Sequence, residues 1–290
     1  MSRGARESVR PRHRRVDLSR PLIEPLERVF EVDSLPGGSL PTELARLYGG
    51  DLGLADRCLY ANFVATLDGI VSIPTLRNSN TFIAGDNDAD RFVMGLLRAY
   101  ADAVLIGSGV LRASPRGTWR ADAIYPPAAD EYGALREALG LPAAPEVAVL
   151  TGSGSIDPDH PLLASGALVV TSTAGAERLR AAVPETTTVL ALAEEETIDL
   201  RLVVDALHDR GHRRILSEAG PHTFGGLLEA GLVDELFLTS SPLLVGDAGP
   251  GSRYSLVEGA DLAPAATHAR LLSMRRHGSH LFTRYALERG

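Results

Sequence analysis

Short apolar runs punctuated by glycine, aspartate and proline follow one another from residue 59 onward, with segments of helical periodicity between them. The run 59–65 is apolar at almost every position, the pattern of a strand buried on both faces of a parallel sheet. It ends in Thr66-Leu67-Asp68-Gly69. Phe92, Val93, Leu96, Leu97 and Tyr100 predict a helix over 88–101, with Asp88 as its cap. A strand over 103–106 then runs into Gly107-Ser108-Gly109. Further strands are predicted at 147–150, 168–171, 188–192, 214–217 and 235–240. Helices are predicted at 174–182, at 199–209 and from Gly220-Pro221 to about residue 230. Two last strands, 269–276 and 280–287, meet in a turn near Gly278. Upstream, Pro21, Pro25, Pro36, Pro41 and Gly37-Gly38 leave room for one brief helix over 41–48. Strand–helix–strand alternation closed by a hairpin predicts an α/β fold in one domain. Its sheet is mixed, mainly parallel, flanked by helices and finished by a C-terminal antiparallel hairpin. The boundaries expected are a basic disordered tail at 1–20, an N-terminal arm at 21–54 and the domain at 55–290.

Composition narrows the chemistry. All 29 basic residues of this 290-residue chain are arginine, which excludes a lysine Schiff base, an internal aldimine and a P-loop lysine. A single cysteine, Cys58, excludes a disulfide within one chain, cysteine-pair zinc sites and thiolate-bound iron–sulfur clusters. The histidines give no metal site: Gly211 interrupts His208 and His212, and His277 and His280 flank a turn. No run approaches the roughly 18 apolar residues of a membrane span, and the N-terminus lacks an apolar core, so a cytoplasmic location without a membrane partner is expected. The net charge of −8 is unevenly spread. Residues 1–20 carry seven arginines against Glu7 and Asp17, a net +5, which leaves −13 for the remainder. The tail reads as a disordered extension or as an anion-binding segment; against an acidic body, no nucleic-acid partner is expected.

Open α/β sheets bind ligands beyond the carboxyl ends of their strands. Three predicted strand ends are polar or glycine-rich. Gly220-Pro221 opens a helix whose first turn, through His222, Thr223, Phe224, Gly225 and Gly226, offers backbone amides to an anion, or is simple punctuation. Gly107-Ser108-Gly109 permits either a tight turn or a flat ring laid on the backbone. Asp68 reads as a turn-former or an acid, and Glu218 lies between a buried strand and the helix start. Arg112, Arg116 and Arg120 around Trp119 form a phosphate clamp or a solvated loop. No Gly-x-Ser-x-Gly elbow and no complete Gly-x-Gly-x-x-Gly fingerprint is present.

Three of these segments, in order, resemble motifs of the pyrimidine reductase family, the dihydrofolate-reductase-like reductase domains of riboflavin biosynthesis. Ala61-Asn62-Phe63-Val64-Ala65-Thr66-Leu67-Asp68-Gly69 resembles its S-L-D-G strand end, and the segment 101–111 resembles A-D-A-V-L-I-G-x-G-T-V. Ser217-Glu218-Ala219-Gly220-Pro221 resembles x-E-G-G-P and continues into a segment similar to L-L-x-x-G-L-V-D-E-L. The sequence departs from the family where A-D-D-P becomes Arg112-Ala113-Ser114-Pro115 and where S-G-E-S-x-W becomes Arg77-Asn78-Ser79-Asn80-Thr81-Phe82.

The resemblance implies a stand-alone, homodimeric reductase using NADPH on a small-molecule substrate. That substrate is a ribosylaminopyrimidine phosphate of the 5-amino-6-(5-phosphoribosylamino)uracil type, whose ring-opened sugar is an imine reduced to a ribityl chain. It places Ala65, Thr66, Gly107, Gly109 and Val110 on the nicotinamide, Gly220 through Gly226 on the pyrophosphate, and Thr171, Ser172 and Thr173 on the adenosine 2′-phosphate. It makes Asp68 and Glu218 the catalytic pair and Asn80 and Arg120 the substrate-binding residues. A dihydrofolate- or pterin-type or secondary-metabolic reductase of the same fold is the alternative. A catalytically silent nucleotide-binding regulator is the alternative of another class.

Overall fold

The computed structural model describes residues 22–36 and 39–288; the basic tail expected at 1–20 lies outside them. The strands are β1 (Glu27–Glu31), β2 (Cys58–Ala65), β3 (Ile70–Ser72), β4 (Ala103–Gly107), β5 (Glu146–Leu150), β6 (Leu168–Ser172) and β7 (Thr188–Ala193). They continue as β8 (Arg214–Ser217), β9 (Glu235–Ser240), β10 (Tyr254–Ser255), β11 (His268–His277) and β12 (His280–Glu288). The helices are α1 (Thr42–Tyr48), α2 (Ser79–Ile83), α3 (Asp88–Tyr100), α4 (Ser108–Ala113) and α5 (Ala121–Ile124), followed by α6 (Ala129–Ala138) and α7 (Pro161–Ala164). The last three are α8 (Thr173–Arg180), α9 (Leu200–Asp209) and α10 (Pro221–Glu229).

Among the described residues, ten strands form one sheet in the order β1-β11-β12-β9-β2-β8-β4-β5-β6-β7. From β9 to β7 all neighbours are parallel, and the C-terminal hairpin adds β12 antiparallel to β9 and β11 antiparallel to β12. The predicted α/β architecture is therefore the one observed. Strand β2 shows why its pattern reads as continuous. Cys58 and Tyr60 point into one apolar layer with Phe92, Leu96 and Tyr132, whereas Leu59, Ala61 and Phe63 point into the other with Val203, Leu207 and Phe224. Burial also pushes the Cys58 thiol far above its ordinary range, which leaves it unreactive.

The N-terminal segment is joined to this sheet. Strand β1 pairs with β11, and Leu44, Leu47 and Tyr48 of α1 are buried in the first layer. Two enclosed arginines fasten it: Arg275 donates to the Tyr48 carbonyl (2.8 Å) and pairs with Glu31, and Arg284 donates to the Leu52 and Gly53 carbonyls while pairing with Glu235. Helix α1 stops at Gly49, whose φ of 76° is left-handed and where a Cβ would stand 2.4 Å from the Leu26 carbonyl oxygen.

The cap of α3 falls one residue earlier than predicted. Asn87, still extended, accepts from the Ala89 and Asp90 amides at 2.8 and 3.3 Å, while Asp88 is already helical. The placement of β8 matters most for function. It inserts between β2 and β4, so the carboxyl ends of β2, β8 and β4 lie side by side although more than a hundred residues separate β4 from β8.

Candidate active site

At the end of β2, Ala65 and Thr66 are buried. The Thr66 hydroxyl donates to Asp68 Oδ1 at 2.5 Å and accepts from the Ile70 amide at 3.0 Å. Asp68 itself lies at the surface, where its carboxylate also accepts from the Val245 and Gly246 amides at 3.2 and 2.7 Å. The Thr66 hydroxyl above all, then the Gly246 amide, holds the Asp68 carboxyl below the ordinary carboxylate range. Asp68 is thus an acceptor that staples the turn after β2 to the chain leaving β9. The same crossing is made by the backbone, Ser241 N to Ala65 O and Leu67 N to Leu243 O, both 2.8 Å.

At the end of β8, Glu218 meets a partner that periodicity does not reveal. Arg98 of α3 grips it with a two-pronged contact, Nε to Oε1 at 2.8 Å and Nη2 to Oε2 at 2.6 Å, and each side chain is 10% exposed. A second carboxyl from α3, Asp90, is buried close by with the Thr239 hydroxyl as its partner. Desolvation pushes its pKa up to about 6, with the charge of Glu218 adding to the effect. Arg98 lies opposite the apolar stripe that predicted α3. It is buried all the same, because its guanidinium is enclosed against Glu218 at the end of β8, while α5 and α6 pack on α3.

The end of β4 faces the start of α10. Gly107 ends the strand in extended conformation, and a Cβ there would point at Thr223 Oγ1 of α10, 3.6 Å away. Gly109 is exposed, Val110 is half-buried, and a Cβ on Gly220 would meet nothing within 4 Å. Gly220 caps α10 and Pro221 takes its first position, leaving the next amides directed outward. His222 is exposed and lies edge-on to Tyr254, ring centres 5.3 Å apart.

The run read as one cradle from Gly220 to Gly226 divides in the middle. Phe224 is buried against Phe63, ring centres 4.8 Å apart. A Cβ on Gly225 would stand 2.5 Å from the Glu258 carbonyl oxygen, and one on Gly226 would stand 2.9 Å from Leu200 Cδ1. These two glycines serve the approach of protein to protein.

The remaining expected residues lie on other elements. Thr171 and Ser172 are completely enclosed: Thr171 donates to the Gly152 carbonyl at 3.2 Å, and Ser172 caps α8 by accepting from the Gly175 amide at 3.1 Å. Of that trio only Thr173 is partly open. Arg120, 44% exposed, is paired with Asp122 through contacts of 3.0 and 2.8 Å. Asn80 is exposed on α2. Among the described residues no group of three or more His, Cys, Asp or Glu side chains could hold a metal ion, and no helix is long and apolar enough to cross a membrane.

The chain is similar to known proteins. A curated relative, the 2,5-diamino-6-ribosylamino-4(3H)-pyrimidinone 5′-phosphate reductase of Methanothermobacter thermautotrophicus, is 28% identical over 233 residues, covering 78% of this chain and 96% of the relative. Among solved structures, a pyrimidine reductase-like protein from Corynebacterium diphtheriae aligns with a TM-score of 0.63 at 22% identity, over 86% of this chain and 100% of that one. The riboflavin biosynthesis reductase Rib7 of Saccharomyces cerevisiae aligns with a TM-score of 0.54 at 13% identity, over 83% of this chain and 94% of that one. Those two structures share the fold. The RibD C-terminal domain family matches residues 57–281, and the chain belongs to it, among the pyrimidine reductases of riboflavin biosynthesis.

Proposed function

We propose that this protein uses NADPH to reduce the ring-opened sugar of a ribosylaminopyrimidine 5′-phosphate to a ribityl chain. The observation that carries the reading is the convergence of Thr66–Asp68, Gly107 and Glu218–Gly220 on three adjacent strand ends in a chain of this family. The residues there fit a dinucleotide. Open space above Gly220 with the free amides after it suits an anionic part, and the side-chain-free backbone of Gly107 at the end of β4 suits a flat one. When bound, the nicotinamide would supply hydride to C1′, and the imine nitrogen would take its proton from solvent.

The chain's own part is positioning. Ala65, Thr66, Gly107, Gly109 and Val110 form the wall for the nicotinamide, and the amides after Gly220 hold the pyrophosphate. With no lysine in the chain, the phosphates fall to backbone amides, hydroxyls and arginine. Glu218 accepts a hydrogen bond from the substrate, and Asp68 fixes the turn that borders it. Arg120 exchanges Asp122 for the substrate phosphate, and Asn80 contacts the substrate. Thr173 is the member of its trio open enough to meet the adenosine phosphate. The protein is proposed to act in the cytoplasm as a homodimer, a reading favoured by Val29 and Phe30 lying exposed on the edge strand β1.

The test is NADPH oxidation by purified protein given, separately, the diaminopyrimidinone named for the curated relative and 5-amino-6-(5-phosphoribosylamino)uracil. Turnover of either supports the proposal. NADPH binding with no turnover of either refutes it in favour of a silent nucleotide-binding protein.

A further inference from the structure

We propose that Arg98 is a positioning residue for the reduction, which fixes the Glu218 carboxylate in one orientation at the end of β8 and confines it to accepting hydrogen bonds from the substrate. The proposal rests on the reading of the protein as a ribosylaminopyrimidine reductase with Glu218 facing the substrate.

Both partners are held before any ligand arrives. The Glu218 amide donates to the Leu105 carbonyl at 3.0 Å, which fixes its backbone between β8 and β4. The end of α3 that carries Arg98 is clamped from two sides. The Tyr60 hydroxyl donates to the Leu97 carbonyl at 2.8 Å, and the buried Arg136 donates through Nη1 to the carbonyls of Arg98, Ala99 and Ala101 at 3.1, 3.1 and 2.8 Å. A helix terminus bound in this way carries the Arg98 guanidinium to Glu218 with little freedom left to lose.

The contact itself explains what the orientation does. Each guanidinium prong meets one carboxylate oxygen, so each oxygen keeps one lone pair turned away from Arg98. What remains is an anionic edge with acceptors only, suited to a sugar hydroxyl or a protonated imine. Ion pairs this enclosed add little stability compared with apolar packing, so a stabilising role alone does not account for the pair. Asp90, buried on the same helix, feels the charge of Glu218, with the Arg91 cation acting the other way.

A double-mutant cycle tests this. Arg98→Met, Arg98→Lys, Glu218→Gln and the two combinations are compared for turnover, for NADPH affinity by fluorescence titration and for affinity to the ribitylaminopyrimidine phosphate by calorimetry without cofactor. Arg98→Met is expected to lower kcat about 100-fold, the scale of losing a preorganised electrostatic contact, with NADPH affinity within about threefold. Product affinity falls about tenfold. Arg98→Lys restores about tenfold of the lost kcat, and in the Glu218→Gln background either Arg98 substitution changes turnover less than about threefold. Equal losses in both backgrounds, or parallel loss of NADPH and product binding, mean a purely structural role and overturn the proposal. Should Arg98→Met fail to fold, Arg98→Lys with and without Glu218→Gln decides by the same criterion. Wild-type protein inactive on both pyrimidines defeats the functional reading and this proposal with it, whereas an active wild type with additive losses defeats only the role of Arg98.

Discussion

Replacing Asp90 by asparagine should make the protein more stable at pH 8. The carboxyl is 6% exposed, and its pKa of about 6 in the fold compares with an ordinary 3.8. The folded state therefore binds the proton more tightly than the unfolded chain. Between about pH 4 and 6 the contribution of Asp90 to stability falls as pH rises, and above that window the group is a buried charge that costs about 3 kcal/mol. Asparagine removes the charge and keeps the shape. Its amide oxygen still accepts from the Thr239 hydroxyl, so the gain at pH 8 is about 3 kcal/mol. At pH 4, where aspartic acid is mostly neutral in the fold, the gain should vanish. Urea unfolding of both proteins at the two pH values gives the difference directly, and other titrating groups cancel in the comparison. Turnover should fall as stability rises, the trade expected of a costly group kept beside a reaction site. A gain of equal size at both pH values, or no gain at pH 8, would show that Asp90 is not held as a desolvated acid.

Other changes separate ligand-facing positions from packing positions. Gly107→Ala puts a methyl at an ordinary 3.6 Å from Thr223, so stability by thermal melt should hold to within about 1 kcal/mol while NADPH affinity drops tenfold or more. Gly225→Ala should do the reverse, losing about 1–3 kcal/mol against the Glu258 backbone. Arg120→Ala should raise the substrate KM about tenfold without lowering kcat, and have no effect on a substrate lacking the phosphate. His280 accepts from the Asn87 amide group at 2.8 Å and donates to the Ala84 carbonyl at 3.0 Å; burial holds its pKa below 6.5, so only the neutral ring fits. Its contribution is complete above pH 6.5 and is lost as pH falls below that value, a slope in unfolding free energy that His280→Asn should flatten.

Much of the sheet was legible because burial on both faces writes strands such as β2 and β6 as unbroken apolar runs. The short elements β3, α2, α4 and β10 were not, since at two to six residues each is fixed by what it packs against. The candidate site divides along similar lines. Strand ends rich in glycine and acid announced Asp68, Gly107 and Glu218 as neighbours once the sheet closed. Glycine spacing carried no sign of whether ligand or protein approaches the backbone, which is why Gly225 and Gly226 read like Gly220. Hydroxyls at 171–173 read as free because the sequence pattern starts α8 one residue late, whereas Ser172 is its cap. Arg98 and Asp90 left no trace in periodicity, because α3 is enclosed on nearly every side.

Deuterium transfer tests the proposed reaction most directly. With NADPH deuterated at both C4 positions and a ribosylaminopyrimidine phosphate as acceptor, NMR of the product should show one deuterium at C1′ of the ribityl chain for each NADPH consumed. Cofactor oxidation that leaves C1′ unlabelled, or no oxidation with either pyrimidine, would contradict it.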